Sequence, residues 1–460
     1  MGFELEKIVL IVATLTSFFT VFLSSAVMVA VPSLAQEFGM SNIVQNWVTM
    51  LFFLAVAIFT IPAGQISAKY GLKKSMIFGS SVYILSSIIA IFSLNSEMFL
   101  ICRLIQGIGV SFLNVASMAM VVSAFDPQNR GKAIGINVTG VYLATSTSPV
   151  IGGFLNYQFG WKSIFLTSIP FLILILILLI TQIKKEWITM GEVPIDWKGC
   201  IVYSLGILMF IYGFTRLDEI TGLILTVVGI IVLLAFVFIE LREKYPVFDV
   251  KFFKNPKFSS ANFAALSAYL ATFAVTTIVN YHLQYVRGFN SGVAGLILLV
   301  APLIQVIMAP ISGRLSDKIN PQKLAALGMF FGAISLAMLA MLNESSSLVF
   351  LIVAMVFHGL GFGIFSSPNT NAIMSSVPPK DTPVASASVA TMRVIGQTMS
   401  MGMLTLVFAF VMGDVPIIAQ YFPLLTASCQ FTCLICMVLC VMSVFASLIG
   451  IKSKGDTNEV

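Results

Sequence analysis

Charged residues are scarce in this chain. Only 10% of its 460 residues are Asp, Glu, Lys or Arg, against roughly 25% in an average soluble domain. Hydrophobic residues make up 58%, and the mean hydropathy is +1.01. A soluble fold with so few polar residues could not cover its own exterior. The composition therefore excludes a soluble enzyme, a disordered chain and a secreted disulfide scaffold. It predicts a polytopic membrane protein that is not an enzyme.

Motifs for cofactor and metal chemistry are also missing. No P-loop, Gly-rich nucleotide fingerprint or nucleophile elbow occurs, so ATP-driven work, hydrolysis and a cofactor are not supported. Six cysteines, most of them in apolar runs, do not make the pattern of a disulfide framework. Four of them follow one stripe of the last apolar run, at Cys429, Cys433, Cys436 and Cys440. They extend over about 16 Å at about 1.5 Å per residue, too far to surround one metal ion.

Long apolar runs predict fourteen transmembrane helices, because a spanning helix needs about 20 mostly apolar residues. No run shows the ten-residue alternation of a membrane barrel. The first run is too long for a signal peptide, and no cleavage site follows it. The predicted spans are 8–30, 44–66, 75–95, 98–124, 132–156, 162–183, 199–215, 221–240, 259–285, 292–312, 323–342, 347–370, 384–412 and 424–450.

Lysine and arginine are unevenly distributed between alternate loops. With a cytoplasmic N-terminus, 20 of the 25 basic residues lie in cytoplasmic segments, 3 lie in outer segments, and Arg103 and Arg393 lie within spans. This is the asymmetry of the positive-inside rule. It predicts a protein of the plasma membrane with both termini in the cytoplasm, and it accounts for the basic balance without nucleic-acid binding.

An internal repeat relates the two ends of the chain. Residues 64–69 reappear in similar form at 313–318, 249 positions later, and residues 106–109 reappear at 358–361, 252 positions later. Parallel repeats with a substrate site at their interface are the architecture of a rocking transporter. The predicted organisation is a six-helix half at 1–183, two inserted helices with linkers at 184–258, a second six-helix half at 259–451 and a tail at 452–460.

Several motifs resemble those of one transporter family. Residues 64–74, GQISAKYGLKK, resemble the loop signature G-x-L-a-D-r-x-G-r-k, and residues 100–109, LICRLIQGIG, match l-x-x-R-x-x-q-G-x-g. Residues 148–153, SPVIGG, resemble the antiporter motif G-P-x-x-G-G, and residues 281–288 and 393–397 are similar to second-half features. In this order and spacing they resemble the major facilitator superfamily, in particular its 14-helix drug:proton antiporter branch.

The resemblance implies the major facilitator fold and proton-coupled efflux of small lipophilic compounds by alternating access, by a protein that works as a monomer. It also implies roles for particular positions. The gating positions are Gly64, Lys69, Gly71, Arg314 and Asp317; the antiporter positions are Ser148, Pro149, Gly152 and Gly153; and the proton-coupling positions are Arg103 and Gln106.

Arg103 lies within an apolar span, where a cation costs about 2.5–3.5 kcal/mol on insertion scales. It should therefore face the protein interior or a wet cavity. The resemblance implies a role in proton coupling. The alternative is an arginine that reaches outward or bonds to backbone carbonyl groups.

Two acidic residues of the family pattern are absent. Ala68 occupies the position of the loop motif's Asp, and Leu23 lies where the branch carries an Asp in its first span. A carboxylate near a helix N-terminus stabilises it electrostatically, and Ala68 cannot supply one. The sequence therefore predicts a looser first-half gate.

No Asp or Glu lies in the middle of any predicted span, although proton coupling normally needs a titratable group there. The remaining candidates are Glu97, two turns before Arg103, and His358, at the repeat position of Gln106. Glu97 could instead be simply exposed, and His358 could be an ordinary hydrogen-bonded interior histidine.

Polar residues in the spans are candidates for a substrate cavity between the halves. They are Asn114, Asn137, Tyr142, Asn280, Gln305, His358, Asn369 and Arg393. The 39 Phe and 23 Met residues suit varied lipophilic ligands, although both also face lipid. Two other functions stay open: export or flipping of a metabolite or lipid without strict proton drive, and a transporter-like sensor with no flux.

Overall fold

A computed structural model describes residues 2–191, 193–248, 250–316, 318–378 and 382–449. Within these ranges the regular structure is helical and no strand occurs, which confirms the predicted all-α class. The helices are α1 (Gly2–Phe38), α2 (Asn42–Tyr70), α3 (Leu72–Ile91), α4 (Ser96–Ala124), α5 (Pro127–Phe159), α6 (Lys162–Thr181), α7 (Trp197–Phe214), α8 (Ile220–Arg242), α9 (Pro256–Thr272), α10 (Val275–Tyr281), α11 (Ser291–Leu298), α12 (Val300–Ser316), α13 (Pro321–Ala340), α14 (Leu348–Met374), α15 (Thr382–Val411) and α16 (Phe422–Ile449).

Each predicted span falls on one of these helices or on a pair of them. The helix pair α9–α10, continued by a π-helical turn at His282–Val286, makes one span, and α11–α12 makes another. Thirteen spans in the described ranges are long and apolar enough to cross a membrane. The fourteenth long helix, α5, has 33 residues but carries many Ser, Thr, Asn and Gly residues.

Short polar residues determine where several helices begin. The Asn95 side chain accepts a hydrogen bond from the Met98 amide at the start of α4. Asn255 and Asn320 cap α9 and α13 in the same way, and each precedes a proline at the first helical position. An N-cap side chain accepts a hydrogen bond from an amide of the first turn that has no partner inside the helix. A proline at the first helical position has no amide hydrogen that would need a partner. These sequence features therefore fix the helix boundaries locally.

The chain forms two compact units. The first comprises Met1–Val247, Leu283–Leu296 and Asp414–Ile417, and the second comprises Phe248–His282, Ile297–Gly413 and Ile418–Val460. In the first unit, α1 packs on α4, α5 and α6, while α4 also contacts α2 and α3, and α3 contacts α6. In the second unit, α9 packs on α14, α15 and α16, while α14 also contacts α12 and α13, and α13 contacts α16. If α1 is matched to α9 and α2–α6 are matched in order to α12–α16, each of these six contacts in the first unit has a counterpart in the second.

Paired glycines allow the helices of each unit to touch. A Cβ added to Gly79 on α3 would lie 2.7 Å from the carbonyl oxygen of Gly109 on α4. A Cβ added to Gly328 on α13 would likewise lie 2.7 Å from the carbonyl oxygen of Gly361 on α14. Small residues at helix crossings permit this close backbone approach. The two pairs are related by the offsets of 249 and 252 positions seen in the sequence.

We expect Gly79→Ala and Gly328→Ala to destabilise the protein by about 1–3 kcal/mol each, because backbone atoms that cannot rotate away oppose the new methyl group. Thermal unfolding in detergent measures the effect. Gly332→Ala, one turn after Gly328, is the matched control, because its Cβ would meet only side-chain atoms at 3.5 Å or more. Equal melting temperatures for Gly328→Ala and Gly332→Ala would contradict the role of the close approach.

Candidate functional site

Arg103 lies two turns into α4 and is completely buried. A buried charge is costly unless hydrogen bonds or an opposite charge compensate it. Among the described residues no carboxylate forms an ion pair with it. Its charge is therefore held by neutral groups.

Three helices supply those groups. The Arg103 Nε donates a hydrogen bond to the carbonyl oxygen of Val48 on α2 at 3.0 Å, and Nη1 donates to Gln106 Oε1 at 2.8 Å. Gln106 Nε2 in turn donates to Ser87 Oγ on α3 at 3.2 Å. The guanidinium carbon lies 4.4 Å from the centre of the Phe52 ring, within cation–π range. We call these five residues the Arg103 cluster.

One donor of the guanidinium is left over. Arg103 Nη2 is buried and has no hydrogen-bond partner among the described residues. A buried donor without an acceptor costs about 1–3 kcal/mol, and more when the group is charged. The cluster therefore holds the arginine side chain in place and leaves the two N–H groups of Nη2 available to an incoming acceptor. The carbonyl bonding that the alternative interpretation predicted is also present, through Val48.

The two titratable candidates are in different environments. Glu97 is exposed in the first turn of α4, where a carboxylate is favourable at a helix N-terminus, and it makes no ion pair with Arg103. His358 on α14 is 6% exposed, and its Nδ1 atom has no hydrogen-bond partner among the described residues. Of the two, only His358 is a buried ionisable group.

The antiporter motif is a close helix contact within the first unit. Ser148 is buried in α5, and a Cβ on Gly152 would lie 2.6 Å from the Ala26 Cβ of α1. A Cβ on Gly153 would collide with the Ser291 carbonyl oxygen, and one on Gly295 would collide with that of Pro149. The small residues of the motif thus let α5 approach both α1 and the start of α11.

Three polar contacts in the same unit were not predicted from the sequence. The Tyr285 hydroxyl donates to Gln45 Oε1 at 2.7 Å, and Gln284 Nε2 donates to the Val29 carbonyl oxygen at 2.8 Å. Asn156 Nδ2 donates to Ser291 Oγ at 2.9 Å. Gln284 and Tyr285 lie on the π-helical turn, a feature common at functional sites. Only the similarity at residues 281–288 pointed to this segment.

The gating positions are partly described. Gly64 lies in α2, Gly71 has φ +116° between α2 and α3, and Arg314 is exposed near the end of α12. Lys69 Nζ donates to two carbonyl oxygens of the segment before α7. Asp317 lies outside the described residues. The missing acid at Ala68 does not leave α3 uncapped, because Glu186 accepts hydrogen bonds from its first turn. A looser gate stays a prediction, with the carboxylate of Glu186 now present at the start of α3.

The candidate cavity residues are not equivalent. Asn137, Asn280 and Asn369 are buried, Tyr142, Gln305 and Arg393 are half-buried, and Asn114 is exposed. The Asn137 Oδ1 atom accepts a hydrogen bond from Ser17 of α1 at 3.2 Å. Asn369 Nδ2 donates to the Ala261 carbonyl oxygen at 3.1 Å, which is an ordinary helix-packing bond.

A buried carboxylate was also missed. Glu240, near the end of α8, is 1% exposed. A Cβ on Gly199 would collide with carboxylate oxygens of both Glu240 and Asp196, so the two acids lie close together beside the start of α7. The sequence placed these acids only at span ends, and their proximity depends on how α7 and α8 pack.

Residues 13–401 match the family model described as Major Facilitator Superfamily. The chain belongs to the Major Facilitator Superfamily. It is 30% identical over 386 residues to the riboflavin transporter RibZ of Clostridioides difficile, covering 84% of each chain. It is 26% identical over 413 residues to the multidrug resistance protein Stp of Mycobacterium tuberculosis, covering 88% of this chain and 76% of that protein.

Solved structures of this superfamily share the fold. A peptide transporter POT in complex with sulfate aligns with a TM-score of 0.71 at 16% identity, covering 97% of this chain and 96% of that one. A bacterial homologue of the lysosomal transporter Spinster aligns with a TM-score of 0.67 at 17% identity, covering 97% and 98%. The major facilitator fold is therefore confirmed. As a superfamily member, the chain is a multi-pass membrane protein and a secondary transporter of small molecules rather than an enzyme.

The Arg103 cluster makes opposite predictions for its two central residues. We expect Arg103→Met to leave the melting temperature in detergent nearly unchanged. Removing the buried charge and its unpaired Nη2 offsets the donor that Gln106 Oε1 and the Val48 oxygen lose, and the repeat already places Met355 at the corresponding position of α14. We expect Gln106→Leu to destabilise the protein by about 1–3 kcal/mol, because a second donor of the buried charge loses its acceptor.

The double variant Arg103→Met/Gln106→Leu should recover most of that loss, since neither a charge nor a donor is then stranded. Met355→Leu is the control for a volume-conserving change at the corresponding position. A large loss of stability in Arg103→Met would show that the arginine mainly holds the helices together.

Proposed function

We propose that this superfamily member is a 14-helix exporter of lipophilic compounds that works by alternating access and is coupled to protons. The observation that carries the proposal is the buried Arg103, whose Nη2 atom has no partner among the described residues, inside an intact span-4 motif. The similarity to the multidrug resistance protein Stp supports drug-type export. The antiporter motif, with its close contacts to α1 and α11, supports exchange over a uniport.

A second candidate substrate class is a flat aromatic metabolite. RibZ, at 30% identity over 84% of both chains, is named for riboflavin transport. Aromatic side chains in the first unit suit either class: Phe19 of α1 stacks on Phe171 of α6 with ring centres 4.6 Å apart, and Phe18 stacks on Phe22 at 5.9 Å. Such surfaces bind flat rings through offset stacking.

Coupling without a mid-membrane carboxylate would rest on a fixed charge. A buried guanidinium makes it costly to bring a second positive charge near it, because the local dielectric constant is low. Antiport requires in addition a group that takes up and releases the proton. His358 is the buried titratable group that we propose as a proton carrier.

We also propose the organisation and topology indicated by the sequence. The two six-helix halves would be residues 1–183 and 259–451, with 184–258 inserted between them and the tail at 452–460. Both termini would lie on the cytoplasmic side of the plasma membrane, and the transporter would act as a monomer.

Transport in proteoliposomes under an imposed pH gradient tests the proposal. We expect gradient-driven movement of ethidium by the wild type and at least a tenfold slower movement by Arg103→Met, with Met355→Leu as the control. Riboflavin is the probe for the second candidate. Movement of riboflavin alone would replace drug export by metabolite transport. A transport rate that does not depend on the pH gradient would contradict proton coupling. If neither probe is transported, the result would favour a sensor without flux.

His358→Gln separates coupling from substrate movement. Glutamine keeps a polar side chain of similar size but cannot titrate. If His358 carries the proton, gradient-driven accumulation should be lost, whereas exchange of labelled for unlabelled substrate without a gradient should persist. Gradient-driven transport at the wild-type rate would remove His358 from the coupling mechanism.

A further inference from the structure

The start of α3 depends on an acid from a distant part of the chain. The first amides of a helix have no partner within it, and the helix dipole makes this end positive. Gly71, which precedes α3, has no side chain to cap it. Glu186 instead accepts a hydrogen bond from the Lys73 amide on Oε1 at 2.8 Å and one from the Lys74 amide on Oε2 at 3.2 Å. Both carboxylate oxygens thus engage the helix.

Gly71 makes room for this carboxylate. Its φ of +116° is disfavoured for any residue with a side chain. A Cβ at this position would also lie 2.8 Å from Glu186 Cγ and closer still to the carboxyl carbon. The glycine of the loop motif therefore both turns the chain and leaves the space that Glu186 occupies.

The backbone of the α6–α7 linker (residues 182–196, of which all but residue 192 are described) binds the same loop. The Leu72 amide donates to the Trp187 carbonyl oxygen at 2.9 Å. The Thr189 and Met190 amides both donate to the carbonyl oxygen of Ala68 at 3.0 Å. The contact thus centres on the position where the motif lacks its acid.

Two side chains of α2 extend the contact to further backbone groups of the linker. Lys69 Nζ donates to the Gly191 and Val193 carbonyl oxygens at 3.0 and 3.1 Å. The Asp196 amide donates to Gln65 Oε1 at 3.4 Å. The linker therefore follows the last turn of α2 from residue 65 to residue 69 and continues onto the start of α3.

Helix α7 continues this contact along α2. Pro62 has no amide hydrogen, so the carbonyl group of Ile58, four residues earlier, lacks its helical partner. Ser204 Oγ donates to that oxygen at 3.1 Å, and the Tyr203 hydroxyl donates to the neighbouring Ala57 oxygen at 3.0 Å. The first inserted helix thus stabilises α2 at its proline.

We propose that Glu186 is a positioning residue for the gating loop, and that the α6–α7 linker together with α7 forms a brace that fixes the end of α2 and the start of α3. Glu186 supplies the carboxylate that the motif lacks at Ala68. The linker and the first inserted helix, α7, then act in the transport cycle, because they set how readily the α2–α3 loop rearranges. This second part rests on the proposed transport function, whereas the binding of Glu186 to α3 does not.

Hydrogen exchange tests the binding without transport. In Glu186→Ala we expect the Lys73 and Lys74 amides to exchange on the order of tenfold faster, because a charge-assisted hydrogen bond of about 1.4 kcal/mol or more is lost. Glu186→Gln, which keeps an acceptor oxygen, should give a smaller increase and guards against a folding failure. Glu243→Ala is the matched control, since that half-buried acid accepts a hydrogen bond from the adjacent Lys244 amide and lies outside the contact with α3. Unchanged exchange in Glu186→Ala would overturn the proposal.

A second substitution tests whether an acid at position 68 can replace Glu186 at the start of α3. Adding Ala68→Asp to Glu186→Ala restores a carboxylate next to the same helix start, and we expect exchange to return to within about threefold of the wild-type rate. If the double variant exchanges as fast as Glu186→Ala, the acid at 186 does not replace the one missing at 68.

Transport rates in proteoliposomes test the gating role. We expect Glu186→Ala to change the maximal transport rate several-fold with little change in the half-saturating substrate concentration, and Ala68→Asp to reverse the change. Faster exchange with wild-type transport would overturn the gating role. A wild-type protein that moves no probe would instead refute the proposed function, while the exchange result for Glu186 would stand.

Discussion

The hydrocarbon interior of a membrane offers no hydrogen-bond partners, so every polar group in a span has to find one within the protein. The hydroxyl groups of Thr16, Thr20 and Ser168 do so on carbonyl oxygens of their own helices. The more consequential partners lie on other helices. The Arg103 side chain donates to a carbonyl oxygen of α2, and Ser204 donates to the Ile58 carbonyl oxygen that Pro62 leaves without a helical partner. The same requirement thus shapes both the candidate coupling site and the packing of the inserted helices.

Among the described residues the buried arginine pairs with no acid, and the first span lacks the Asp of the antiporter pattern that the chain resembles. Fixed by Val48 and Gln106, its guanidinium is a permanent charge rather than half of a switchable ion pair. A proton-coupled cycle then needs its titratable group elsewhere. His358 is buried and Glu97 is exposed, so the proposed proton carrier was chosen by the environment of the two groups rather than by their position along the chain.

The loop motif illustrates how a missing residue can be replaced from a distance. Ala68 removes an acid, yet α3 still begins against a carboxylate, because the α6–α7 linker places Glu186 there. The glycine of the motif, Gly71, is present and leaves room for the Glu186 carboxylate. Comparing the motif position by position would therefore miss the carboxylate at the start of α3. The helix start is stabilised by negative charge, and this charge need not come from an aspartate at one position.

Sequence alone determined the spans, the repeat and the superfamily, because hydropathy and motif spacing are properties read along the chain. Even the cap at Asn95 and the glycine offsets could be read locally. Tertiary structure alone decided which groups meet. Glu186 binds an amide 113 positions away, Arg103 a carbonyl oxygen 55 positions away, and Tyr285 reaches Gln45 across 240 positions. Two of these three bonds involve backbone groups, which every residue carries, so no pattern of side chains announces them; only the packing of helices brings them together.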